Sequence, residues 1–241
     1  VIALLLGVGA YLSGGILSLL FTRHRYRFSL LSWVGALTGI SLAVSGFLDS
    51  GSVVRTLGRW GILGIEIKID ETTLLFAGLV VILNFFTLIY IRGSKKGSFY
   101  CLYNFLLAST FSIAFSHDLF NLYVTIEFMS LVSILLIGYE RKAYQIYAGA
   151  KYLIISSLAM SLYLIGLGFV YRVGGNLGIR ELARSLEGIE EFSLSLGLGL
   201  MVAGLAVKGG FFFLACGFRT PTPIALRSFR RFCPVWQLSP A

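Results

Sequence analysis

Charged side chains are scarce in this sequence, at 13% of 241 residues, while hydrophobic residues make up 57%. So little charge excludes an ordinary soluble domain and places the chain among integral membrane proteins. Histidine is rarer still. Only His24 and His117 are present, and they cannot face each other at membrane depth, so a bound b-type haem is not expected. Cys101, Cys216 and Cys233 show no C-x-x-C or Cys/His spacing, which argues against a zinc site or disulfide framework and for plain apolar packing. There is no Gly-rich phosphate cradle and no Ser/His/Asp set, so neither a cofactor nor a metal is expected, and bond-breaking catalysis has no visible residues. Proline is confined to positions 221, 223, 234 and 240, which leaves the rest of the chain free of its helix-breaking effect.

Long apolar stretches recur to the end of the chain, whereas a cleavable leader would be one such stretch before a soluble body. A backbone in lipid must satisfy its own hydrogen bonds, so these stretches are expected to be helices. Seven spans are predicted: Val1 to Phe21, Ser29 to Leu48, Thr72 to Ile91, Phe99 to Phe115, Leu119 to Gly138, Tyr144 to Tyr171 and Phe192 to Leu214. The fold class is therefore an all-α integral membrane protein, a helical bundle over 1–214 followed by an irregular basic tail over 215–241. Small residues such as Gly197, Gly199 and Gly204 are expected where helices approach closely.

The formal net charge of +9 is unevenly placed. If the "RHRYR" loop is cytoplasmic, twelve basic residues, including Arg23, Lys95, Lys96 and Arg141, fall on that side and six, including Arg55, Lys68 and Arg180, on the other. This bias predicts a multi-pass protein of the cell membrane with its first residue outside and its last in the cytoplasm. Topology and contact with acidic lipid headgroups account for the charge, so no nucleic-acid partner is implied. Two outer segments exceed simple turns. "RWGILGIEIKIDE" alternates from Ile65 to Ile69 and reads as a short β-hairpin or extended piece; "NLGIRELARSLEGIEEF" reads as an amphipathic interfacial helix capped by Asn176, with Leu177, Leu182, Leu186 and Ile189 on one side. Neither is expected to carry chemistry by itself.

Polar groups at membrane depth remain. Glu127 sits about eight residues, roughly 12 Å, into the fifth span. Lys151 lies in the sixth span and Lys208 in the seventh. An ionisable residue costs about 2.5 to 3.5 kcal/mol at a helix centre on insertion scales, so each is a functional candidate by default. Blander readings stand beside this one: either lysine could reach the headgroups with its flexible stem, and Glu127 could be half of a static ion pair. In the functional reading, burial and mutual attraction pull the protonation of a Glu/Lys pair in opposite directions, so the pair can load and release protons. Asp118 is a natural N-cap for the fifth helix.

The stretches "SHDLFNLYVTIEFMSLVSILLIGY", "AGAKYLIISSLAMSLYLIGLGFVYRVGGNLGIREL" and "GLAVKGGFFFL" resemble the antiporter-like membrane subunits shared by respiratory complex I, Mrp-type sodium/proton antiporters (their D-type subunit) and archaeal membrane-bound hydrogenase and sulfane sulfur reductase complexes. The resemblance implies that Glu127 is the fifth-helix glutamate and Lys208 the seventh-helix lysine of a first proton half-channel, with Lys151 matching the sixth-helix lysine. It implies an ion-translocating, proton or sodium/proton, membrane subunit with other membrane subunits and lipid as partners, not an enzyme by itself. The family continues after the seventh helix with a W-L-P-D-A-H type segment, a broken helix and a second, inverted set of helices. Here "ACGFRTPTPIALRSFRRFCPVWQLSPA" follows Leu214 instead. With suitable codons, Ala215 to Thr222 read from the third base give V-W-L-P-D-A-H, so the tail reads as an out-of-frame translation of the family's next segment; sequencing the encoding DNA tests this. A truncated member holding part of one half-channel is the expectation, and the alternative is a transport-inactive structural subunit that fills a lipid-sealing position.

Overall fold

The computed structural model describes residues 2–21, 24–60, 63–92, 96–187 and 191–210. The tail over 215–241, its basic residues and the end of the last expected span lie outside the described residues. Within them the chain runs α1 (Ile2–Leu20), α2 (Arg25–Ser50), β1 (Val53–Trp60), β2 (Leu63–Ile69), α3 (Glu71–Tyr90), α4 (Gly97–Phe115), α5 (Leu119–Ile137), α6 (Ala143–Gly174), α7 (Ile179–Ser185) and α8 (Phe192–Lys208). Over their described residues, all seven expected spans are helices. Five of them, α2 to α6, are long and apolar enough to cross a membrane; α1 and α8 are apolar over the shorter runs Leu5–Leu20 and Phe192–Lys208. Arg25 and Arg27, expected in a loop, belong to the first turn of α2, which starts earlier than its apolar run.

The helices bury two cores. Tyr11, Ala36, Val81, Leu88, Tyr100 and Phe111 anchor the first, formed by α1 to α4. Inside it, polar clamps fix helix partners, because an unpaired polar group in an apolar interior costs more than its bond returns. Asn84 of α3 donates to the Tyr11 hydroxyl at 3.1 Å and accepts from the Tyr103 hydroxyl at 2.9 Å. Asn104 of α4 donates to Ser29 at 2.6 Å and accepts from Ser32 at 2.7 Å. Met160, Tyr163, Leu167, Val170, Leu194 and Met201 anchor the second core, between α6 and α8, with Tyr123 of α5 packed against it.

Glycines set the α6–α8 seat. A Cβ at Gly166 would lie 2.5 Å from the Gly197 carbonyl oxygen, and one at Gly204 would lie 2.5 Å from the Ala159 carbonyl oxygen. The pairs step in opposite directions along the two helices, so α6 and α8 pack antiparallel at backbone contact. Gly199, expected in this seam, faces away from it with open space around its Cβ position, since two residues on from Gly197 is about 200° round the helix.

The hairpin is antiparallel, pairing Val53 with Ile69 through to Leu57 with Ile65, and has an irregularity before Trp60. Gly58, at φ +71°, takes a backbone conformation there that suits glycine. Asp70 caps α3: its Oδ1 accepts from the Thr73 amide at 2.9 Å and the Thr73 hydroxyl at 2.6 Å. The Lys68 ammonium, 2.7 Å away, with these Thr73 bonds, lowers the Asp70 carboxyl to about 2. The interfacial helix is shorter than expected and begins later, with Gly178 and not Asn176 at its N-cap. The reason is a competing pairing: Leu177 and Gly178 are held in extended form against residues 117–119. Leu182 faces inward as expected, Leu186 is half-buried, and Ile189 lies outside the described residues.

Candidate functional site

The fifth helix starts where the sequence places its cap. Asp118, in extended conformation, accepts from the Asn121 amide at 2.7 Å, and the Asn121 side chain donates to Ser116 at 3.0 Å. This fixes the first turn of α5, and Glu127 follows two turns further in. Much of α5 is not covered by the rest of the chain: Phe120, Val124, Phe128, Leu131 and Leu135 are exposed.

Glu127 meets Lys208, which closes the last turn of α8. The Lys208 Nζ lies 4.0 Å from Glu127 Oε2, with the lysine side chain 8% exposed and the glutamate 27%. The ammonium also donates a hydrogen bond to the Ser156 hydroxyl of α6 and stands 5.8 Å from the centre of the Tyr152 ring. Glu127 Oε2 is sealed from solvent and makes no hydrogen bond. Three helices therefore converge on one buried cation: α5 brings the carboxylate, α6 the hydroxyl, and α8 the lysine. The glycine seat explains the alignment, because it continues in register from Gly197 against Gly166, through Gly204 against Ala159, to Lys208 against Ser156. A cleft of about 260 Å³ opens beside the lysine, lined by Tyr152, Ile155, Ser156, Val207, Gly209 and Gly210.

Lys151 stands apart from this pair. It is exposed, and its Nζ lies 4.4 Å from the centre of the Tyr147 ring on its own helix. Five residues separate it from Ser156, about 140° round the helix, so α6 presents its serine to the buried pair and its lysine elsewhere. The sequence alone does not single out Ser156; its one signal there is a small polar residue a turn and a half beyond a candidate lysine. Among the described residues no His, Cys, Asp and Glu groups could hold a metal ion.

Residues 116–217 match the family described as NADH:quinone oxidoreductase/Mrp antiporter, TM. The chain is 36% identical over 160 residues to NADH-quinone oxidoreductase subunit N of Desulforudis audaxviator, covering 62% of this chain and 31% of that protein. It is 31% identical over 213 residues to the D-type subunit of the Na(+)/H(+) antiporter of Alkalihalophilus pseudofirmus, covering 82% of this chain and 42% of the relative. The chain thus spans well under half the length of these relatives. Its fold is similar to that of a chain in the membrane-bound sulfane sulfur reductase, an archaeal respiratory membrane complex, with a TM-score of 0.76 at 20% identity over 85% of this chain and 43% of that one. A chain of the Mrp complex from Dietzia sp. gives 0.68 at 22% identity, over 86% and 40%. Residues 116–217, with Glu127, Lys151 and Lys208 among them, thus correspond to the domain described as NADH:quinone oxidoreductase/Mrp antiporter, TM, in a chain with an antiporter-like all-α membrane fold.

Proposed function

We propose that this chain serves as an antiporter-like membrane subunit of a multisubunit ion-translocating complex, and that Glu127 and Lys208 form a proton-responsive pair within it. The observation that carries the reading is the meeting of Glu127, Ser156 and Lys208 from three helices inside the bundle. At 4.0 Å the pair is beyond a tight hydrogen bond, and the ammonium is shared with a neutral hydroxyl. A cation held between two acceptors can lean towards either, so a nearby charge can change how firmly Glu127 is neutralised and whether it takes up a proton. Lys151, exposed on a face with Tyr147 and Ile154, is suited to sense a neighbouring subunit.

The test uses the chain assembled with its copurifying membrane subunits in sealed vesicles. Glu127→Gln and Lys208→Gln are expected to assemble and to reduce driven proton movement to the level of vesicles without the complex. Normal proton movement by an assembled Glu127→Gln complex would leave only a static ion pair in a lipid-sealing subunit. The basic-loop bias further supports an orientation with the hairpin outside and the loop joining α3 and α4 in the cytoplasm. Single cysteines placed in those two segments should then react with impermeant reagents from opposite sides of the membrane; the reverse pattern overturns the orientation.

A further inference from the structure

Three segments far apart in the sequence are laced together at the hairpin end of the bundle. The His117 amide donates to the Glu66 carbonyl at 3.0 Å, and Ile67 bridges Ser116. On the other side of the same short stretch, the Leu119 amide donates to the Leu177 carbonyl and the Ile179 amide to the His117 carbonyl, each at 3.0 Å, and Asp118 bridges Gly178. The segment that caps α5 is thus the middle strand of a seam between β2 and the start of α7. The Glu66 side chain reaches across it. Its carboxyl carbon would be only 2.5 Å from a Cβ at Gly178, so the absence of a side chain at 178 is what admits it. Glu66 is 8% exposed, and its Oε2 is closed to solvent with no hydrogen-bond partner.

We propose that Glu66 is a proton-operated latch: with a proton on its carboxyl the hairpin stays closed on the 116–119 and 177–180 segments, and loss of that proton loosens the seam. An ionised carboxylate in this position would be buried and unsolvated at Oε2, beside the further carboxylates of Asp118 and Glu181, with the Arg180 backbone amide and guanidinium as the groups that favour it. Its neighbours are Asp118 and His117 from the middle strand, Arg180 and Glu181 from α7, Lys68 further along its own strand and Asp70 just beyond that strand's end; across the hairpin its partner is the uncharged Thr56. Burial first, then Glu181 and Asp118, raise the Glu66 carboxyl above the ordinary carboxylate range, while Arg180 opposes them. His117 adds little positive charge, since burial and the nearby Lys68 and Arg180 hold it neutral to a lower pH than usual.

The sign follows from linkage. The closed seam holds the proton more tightly than an open one in which Glu66 is hydrated, so closure is fully favoured below the ordinary carboxylate range and is lost as pH rises through the raised value. The latch acts on the N-terminus of α5, and it does not depend on whether the Glu127 pair carries protons.

Amide hydrogen exchange of the full chain in lipid nanodiscs tests it, read at the amides of His117, Leu119 and Ile179 and corrected for intrinsic exchange. Between pH 5 and pH 9 their protection is expected to fall by about tenfold for each unit by which closure raises the carboxyl. Glu66→Gln, a neutral isostere that cannot ionise, should hold the seam closed throughout. Glu181→Gln should move the fall to lower pH, because it removes a repelling charge, and it keeps the proposal testable if Glu66→Gln fails to insert. Protection independent of pH in the natural chain, a parallel fall in Glu66→Gln, or an unmoved transition in Glu181→Gln would overturn the latch.

Discussion

Lys208 Nζ stands 4.0 Å from Glu127 Oε2, closer to a hydroxyl than to its own counter-ion. That preference makes Ser156 the residue on which the position of the ammonium depends. Replacing Ser156 by alanine removes an acceptor from a buried cation, at a cost of about 1 to 3 kcal/mol. A lowered thermal midpoint in detergent is expected, with recovery in Ser156→Thr, which keeps the hydroxyl. An unchanged midpoint in Ser156→Ala would mean that the hydroxyl does not hold the lysine.

The α6–α8 seat gives a paired prediction. Gly204→Ala places a methyl against the Ala159 carbonyl oxygen and 3.0 Å from the Tyr163 amide nitrogen, both backbone atoms that cannot swing aside. It should destabilise by about 1 to 3 kcal/mol and push Lys208 away from Ser156. Gly199→Ala, with open space at its Cβ, should be neutral or stabilising by up to about 1 kcal/mol through reduced backbone freedom in the unfolded chain. Thermal unfolding of the two variants side by side decides it, and equal effects would show that the close approach is not limiting.

Much of this architecture was legible in the sequence because lipid leaves a long apolar run few options but a helix. Asp118 was legible for a similarly local reason: a carboxylate ahead of an apolar run has orphan amides to cap, and it does. Glu127 and Lys208 stood out by the cost of their charge at depth. What could not be read locally depended on partners distant in the chain. Asn176 looked like a cap, but the pairing of Leu177 with Leu119 moved the start of α7 to Ile179. Val53 to Trp60, interrupted by Arg55, Gly58 and Arg59, gave weak alternation and became a strand only because β2 lies beside it. Gly197 and Gly199 were equivalent as small residues, and only the phase of α8 separates the packed one from the free one. By residue type alone either lysine could pair with Glu127, and it was the family resemblance that favoured Lys208; in the fold, helix rotation turns Lys151 outward and Lys208 in.

The lacing of residues 66–67, 116–119 and 177–179 also imposes an order on biosynthesis. Its middle strand is synthesised about fifty residues after the first and about sixty before the last, so the lacing cannot close while α6 is still on the ribosome. Until α6 has crossed the bilayer and delivered Leu177 and Ile179, the hairpin has a single edge to rest on and the head of α5 is held from one side only. Completion of this small seam therefore marks the moment in the life of the nascent chain when its two halves, the α1–α4 core and the α6–α8 core, become joined outside the lipid as well as within it.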